Sequence, residues 1–212
     1  RRTQLAPHHV CMPLSPNTAQ VVVIAASGES ADVIDRATET MEGASQHAVI
    51  LRGHEGVVSP KGQLINEFVA ARAEFSQVLI YDVDSEPTRL PDPDRSCVVG
   101  QQLSLYRAEP RRSVTAWSFW QGCADNQSLW SLGYERRSLR VGSLYYLVVH
   151  GLRVRTDVLR SWPLHATGPG EDLLLGYHLS VVGTAPCVLE GLDIAAAVGS
   201  VSEFVNQSER WF

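Results

Sequence analysis

The sequence has no long run of lysine and arginine. Its formal net charge is −5, from 18 basic and 23 acidic side chains, so a nucleic-acid polymer is not an expected partner. No apolar run reaches the roughly 20 residues that a membrane span needs, and no signal peptide is visible. The turn after the first apolar run lacks the GxGxxG of a dinucleotide site, which argues against a dehydrogenase. No GxSxG elbow appears, which argues against a serine hydrolase. Cysteine is sparse: Cys11, Cys97, Cys123 and Cys187 are far apart and form no CxxC pair. That spacing excludes a close-set zinc site. It favours reduced, partly buried thiols of a cytosolic type over a disulfide framework. His8-His9 reads as part of a tail rather than as a ligand pair.

What is present is an ordinary globular balance, 44 % apolar and 19 % charged in 212 residues, enough for one large domain. Residues 1–20 are rich in proline and polar groups and read as an extended lead-in, with the folded domain at 21–212. Val21–Ala26 is a continuous apolar run, as expected of a strand buried on both faces. Ser27-Gly28-Glu29-Ser30 makes a turn, Ser30 is a candidate N-cap, and Val33, Ile34, Ala37 and Met41 follow at helical spacing. A second strand at 48–51 ends in the turn Arg52-Gly53-His54-Glu55, and Ser59-Pro60 can open a second helix through Leu64, Ile65, Phe68 and Val69. Val78–Tyr81 is a third strand that runs into Asp82-Val83-Asp84. This βαβαβ order predicts an α/β domain whose central sheet is Rossmann-like and mostly parallel, with helices on both faces. Ligands of such sheets bind outside the carboxyl ends of the strands, where Glu29, the turn at 52–55, and Asp82 with Asp84 all fall.

The second half is less regular. Segments 98–106 and 113–120 fit strands or short helices, 145–155 a strand interrupted by His150-Gly151, 171–182 a helix ending near Gly183, and 187–194 a strand. Thr156 can cap a short helix. Ser200-Val201-Ser202-Glu203 is a capping box for a last helix.

Three groups carry chemistry. In an extended segment Asp82 and Asp84 place both carboxylates on one face, a set suited to a hard cation that bridges to phosphate; the same pair is common in solvated turns. Glu171-Asp172 opens a helix, where acids oppose the helix dipole favourably and where one of them can also serve as a general base. Gln207, Arg210 and Trp211 share one helix face. Together they combine an amide, a forked cation suited to phosphate and a flat apolar surface suited to a sugar ring.

Taken in order, Asp82-Val83-Asp84, Gly170-Glu171-Asp172 and Gln207-Ser208-Glu209-Arg210-Trp211 resemble the motifs of the family-2 glycosyltransferases, in the branch that contains cellulose and hyaluronan synthases. The resemblance spans roughly residues 20–212. It implies a GT-A fold, with 21–95 as the nucleotide-binding half and 96–212 as the acceptor-binding half. It also implies a metal-dependent inverting transfer of a sugar from a nucleotide-sugar to a hydroxyl acceptor. The implied metal is Mg²⁺ or Mn²⁺ at Asp84 and Asp82. Asp172, with Glu171 beside it, is implied as the catalytic base. Ser27, Glu29, Lys61, Asp82, His150, Gly151, Gln207 and Arg210 are implied around the nucleotide-sugar, and Trp211 under the acceptor saccharide. A UDP-sugar is the favoured donor and a GDP-sugar the other candidate.

The sequence departs from the family pattern in three places. Ser27-Gly28 stands where the family has an asparagine before the first acid. Arg52-Gly53-His54-Glu55 replaces an acid after the second strand, and Gly170 replaces the threonine of the base motif. A catalytically silent GT-A-like domain that binds a nucleotide-sugar or a partner protein is the alternative. A nucleotidyltransferase is a further one, although 27–30 lacks the basic residue that would meet a triphosphate. Both ends of the chain read as cut. The expected location is the cytoplasm or the cytoplasmic face of a membrane, reached through segments outside this chain.

Overall fold

The computed structural model describes residues 20–26, 29–42, 48–53, 60–93, 96–109, 113–141, 147–165 and 170–211. The lead-in at 1–19, Ser27 and the cap candidate Ser59 lie outside the described residues. The strands are β1 (Gln20–Ala26), β2 (Ala48–Arg52), β3 (Gln77–Tyr81), β4 (Glu86–Pro87), β5 (Val99–Arg107), β6 (Leu152–Arg155) and β7 (Cys187–Ala196). The helices are α1 (Ala31–Glu42), α2 (Lys61–Ala71), α3 (Val114–Val141), α4 (Thr156–Ser161), α5 (Glu171–Val182) and α6 (Val201–Trp211).

The apolar run at 21–24 is buried on both sides because successive side chains point to opposite faces. Val21 and Val23, with Val78 and Ile80 of β3, pack on Ile65, Phe68 and Val69 of α2, Leu159 of α4, and Leu175 and Leu179 of α5. Val22 and Ile24, with Leu79 and Tyr81, pack on Ala37 and Met41 of α1. Each such side chain contributes about 1.5–3 kcal/mol when fully buried. Helices therefore cover both faces of one sheet, as the sequence implies.

The sheet is mixed rather than mostly parallel. Its order is β2-β1-β3-β6-β5-β7-β4. The β2-β1-β3 half is parallel, β6 runs antiparallel to both β3 and β5, β7 is parallel to β5, and β4 is antiparallel to β7. An apolar run shows that a strand is buried but not its direction, which is why the pattern misreads the second half. The reversal has a consequence for position. Ile80 pairs with Leu152, so the segment entering β6, His150-Gly151, lies at the edge where β3 ends in Asp82. Because β5 and β7 run parallel with Ser104 opposite Asp193, the carboxyl end of β7 reaches the same edge.

Other details differ from the sequence reading. Residues 114–120 belong to the 28-residue helix α3, and Ser113 precedes it, its hydroxyl accepting from Ala116 N at 3.3 Å. Its buried side carries the small residues Ala124, Ser128 and Ser131, while Phe119, Trp130 and Tyr134 are exposed. This inverted amphipathicity hides the helix from a periodicity search. Pro60 is the N-cap of α2 and not its first residue. Thr156 is the first residue of α4 and not its cap; its hydroxyl donates to the Phe75 carbonyl at 2.9 Å. Of the segment 145–155, the described residues 147–155 form a strand over Leu152–Arg155. The capping box forms: Ser200 Oγ accepts from Glu203 N at 3.1 Å, while the Glu203 carboxylate accepts from Gly199 N at 2.6 Å.

The expectation of four reduced thiols is overturned. Cys97 and Cys187 are joined as a disulfide, with Cα atoms 6.1 Å apart and 90 positions apart in sequence. Parallel pairing sets Gly100 opposite Cys187 and so brings Cys97 within reach, a relation that linear spacing does not contain. Cys123 is a free, exposed thiol. No helix among the described residues is long and apolar enough to cross a membrane.

Candidate functional site

Asp82 is the first residue beyond β3, and Lys61 is the first residue of α2. Both stand at the carboxyl edge of the parallel strands, and Lys61 Nζ forms an ion pair with Asp82 Oδ1. Asp82-Val83-Asp84 is not extended. The segment closes as a turn, with Ser85 N donating to the Asp82 carbonyl at 3.1 Å, so the two carboxylates take different partners. Asp84 Oδ2 accepts from Ala196 N, 3.3 Å away at the end of β7. The surrounding protein, and then the charge of Asp82, push the Asp84 carboxyl above its ordinary range. A carboxyl raised by burial and by an acidic neighbour is one whose ionised form a nearby cation would favour. Among the described residues no three His, Cys, Asp or Glu side chains are grouped to hold a metal by themselves. The protein's donors would thus be these two carboxylates, the remaining ligands being phosphate and water oxygens.

His150 lies beside this turn. Its Nδ1 is 2.6 Å from Oδ2 of Asp193, which has no solvent exposure. Burial disfavours the cationic form of His150, but the hydrogen bond to Asp193 and the charges of Asp82 and Asp193 outweigh it, so the net direction is upward. For Lys61, burial is likewise outweighed by Asp82, Asp84 and Glu171, and its pKa rises. Gly151 has φ +62°, and a Cβ there would come within 3.0 Å of Gln102 Cβ and 3.1 Å of Asp193 Cβ. A side chain at this position would therefore force β5 and β7 away from the turn.

Glu171 and Asp172 are the first two residues of α5, behind Gly170 at φ +91°. A left-handed N-cap explains glycine in place of threonine. Asp172 Oδ1 accepts from Leu173 N at 2.8 Å. Burial raises both carboxyls, and each senses Lys61. For Asp172 the charge of His150 acts in the opposite sense to burial. The acids of α5 are thus within electrostatic range of the Lys61–Asp82–His150 group. The segment leading to α5 is anchored by Asn66 of α2, whose side chain exchanges two hydrogen bonds with the Leu164 backbone, at 2.8 and 2.9 Å. The pair ties α2, which begins at Lys61, to the chain after α4.

Glu29 follows β1 at the same edge. It is half-buried, and its Oε2 is buried without a hydrogen-bond partner. Gln207, Arg210 and Trp211 lie in α6 at helical spacing, but their side chains lie outside the described residues, as does Ser27. A cavity of about 380 Å³ opens behind Asp84, lined by Arg36 and Thr40 of α1, Arg107, Glu109 and Ala196. This volume is within the range of small-molecule pockets.

Sequence reasoning missed Asp193 and Ser85. Asp193 Oδ2 accepts from Ser85 Oγ at 3.1 Å and lies in hydrogen-bond contact with His150 Nδ1. The segment 188–194 carries two acids, the exposed Glu190 and the buried Asp193, and the sequence pattern does not tell them apart. The chain matches no protein-family model and no curated protein sequence.

Proposed function

We propose that the chain is a metal-dependent inverting glycosyltransferase of the GT-A, family-2 type, taking a UDP- or GDP-sugar as donor and a saccharide or other hydroxyl as acceptor. The observation that carries this reading is the convergence of Lys61, Asp82, Asp84, His150, Glu171 and Asp172 on one sheet edge, close enough for their charges to alter one another. Lys61 and His150 are the cations that would meet a diphosphate. Mg²⁺ or Mn²⁺, held by Asp82 and Asp84, would supply further neutralisation of the leaving diphosphate. Asp172 is the base. Its carboxyl, lifted by burial, accepts the acceptor's hydroxyl proton as the new glycosidic C–O bond forms. The anomeric carbon's bond to the diphosphate oxygen breaks, and the electron pair leaves with the nucleoside diphosphate. Glu29, with Ser27, would lie toward the nucleoside, and the cavity beyond Asp84 offers room for one end of the substrate. Gln207 and Arg210 would reach the diphosphate, and Trp211 would lie under the acceptor sugar. Placement at the cytoplasm or its membrane face rests on the family resemblance alone, since the Cys97–Cys187 bridge removes the support of reduced thiols.

The test is nucleoside diphosphate release from a panel of nucleotide-sugars with Mn²⁺, comparing wild type with Asp172→Asn. The reading predicts release by wild type and a loss of at least about a hundredfold in the variant. Equal release by both would remove Asp172 as the base.

One observation favours a second reading, a GT-A-like domain that binds without turnover. The Asp82 carboxylate is already neutralised by Lys61. Nucleotide binding seen by calorimetry, without turnover across donors and acceptors, would select it.

A further inference from the structure

Two buried polar residues connect the acidic turn to β7 at the same edge of the sheet. Asp82 N donates to Ser85 Oγ at 3.2 Å, and Ser85 Oγ donates in turn to Asp193 Oδ2 at 3.1 Å. The same oxygen takes the hydrogen bond from His150 Nδ1 at 2.6 Å. Ser85 is 3 % exposed and Asp193 is not exposed at all. The second oxygen of Asp193, Oδ1, is buried with no hydrogen-bond partner. A carboxylate placed in the interior at that cost is retained where it orders other groups.

We propose that Asp193 and Ser85 are positioning residues for the donor diphosphate: through one carboxylate oxygen they fix the Asp82–Ser85 turn and the His150 ring relative to one another. This rests on the transferase reading of the site. The elements joined are far apart in the chain: β7 supplies Asp193, the β3–β4 turn supplies Ser85, and the segment entering β6 supplies His150. Without the shared oxygen each would be oriented by its own element alone. The His150 ring is held at Nδ1, which leaves the Nε2 side as its only other polar edge. Gly151 is the complement of this arrangement, because its missing side chain lets Asp193 approach. The titratable residues facing the network are Lys61 of α2, Tyr81 of β3, Asp82 and Asp84 of the turn, Tyr106 of β5 and Asp172 of α5. Neither Asp193 nor Ser85 is assigned any contact with substrate.

The test uses ¹⁵N-labelled whole chain and the probe UDP with Mn²⁺. In wild type a far-downfield, slowly exchanging His150 Nδ1–H signal is expected, identified by its absence in His150→Gln. Asp193→Asn should move that signal upfield and weaken UDP–Mn²⁺ binding about tenfold, as expected on losing a charge-assisted hydrogen bond. Under turnover it should raise the donor KM more than it lowers kcat. Ser85→Ala keeps the His150 signal, shifts the Asp82 amide and weakens binding by a smaller factor. It also carries the test should Asp193→Asn fail to fold. Folded Asp193→Asn or Ser85→Ala protein with wild-type affinity for UDP–Mn²⁺ overturns the proposal, as does a wild type without the downfield signal. Wild type that shows the signal but binds neither UDP nor GDP with metal contradicts instead the transferase reading, and the donor-holding role with it.

Discussion

At the scale of single residues, His150 and the three raised carboxyls make stability depend on pH in one direction. His150 titrates above its ordinary 6.5. Its contribution to stability is therefore complete below pH 6.5 and is lost as pH rises through the folded value. Asp84, Glu171 and Asp172 titrate above their ordinary 3.8, 4.5 and 3.8. Ionised, they cost stability, and that cost also appears as pH rises through the folded values. Both effects lower stability as pH rises, the carboxyl effect starting from the ordinary 3.8 to 4.5 and the His150 effect from 6.5. Thermal melts in matched buffers should show this trend, and His150→Gln should flatten it above pH 6.5; an unchanged slope in that variant would contradict the assignment. Asn66 tests the scaffold rather than the chemistry. Asn66→Ala leaves the Leu164 N–H and C=O without partners and should cost about 1–3 kcal/mol in urea unfolding.

The acids were legible in the sequence because chemistry and position coincide in them. Asp82 and Asp84 follow a buried strand, and Glu171-Asp172 begins a helix. Asp193 was not legible in the same way. Its meaning depends on Ser85 and His150, 108 and 43 positions away, and no local pattern joins them.

At the scale of elements, the helix at 171–182 was found at its true bounds, since Gly183 at φ +73° ends it and apolar residues fill it. The long helix α3 was not found, because its aromatic residues face outward and its small residues face β5. Ser128 shows how that buried side is satisfied: its hydroxyl accepts from Tyr106 N at 2.8 Å and donates to the Ala124 carbonyl at 2.8 Å. Trp130 is 59 % exposed and contacts Tyr134 on the same face. Trp130→Ser should therefore change the unfolding free energy by no more than about 0.5 kcal/mol. A larger loss in chemical denaturation would mean that this face is covered. The reversed direction of β6 was also hidden from the pattern, yet it is what brings His150 beside Asp82.

At the scale of the molecule, the seven strands of the described residues form one sheet that runs through both halves of the chain, with a hydrophobic cluster on each face. The Cys97–Cys187 bridge closes a loop of 90 positions around that sheet. Loop closure of this length restricts the unfolded chain by about 4–5 kcal/mol. Cys187→Ser should lower the melting temperature accordingly, and peptide mapping without reductant should recover Cys97 joined to Cys187.

The proposed binding of a metal-bound nucleoside diphosphate at the Asp82–Asp84 edge is decided by calorimetric titration of UDP, and then GDP, into the protein with and without Mn²⁺, for wild type and Asp84→Asn. Wild type should bind only with the metal, and the variant about tenfold or more weakly. Wild-type protein that binds neither nucleotide in the presence of Mn²⁺, or that binds equally well in Asp84→Asn, would contradict it.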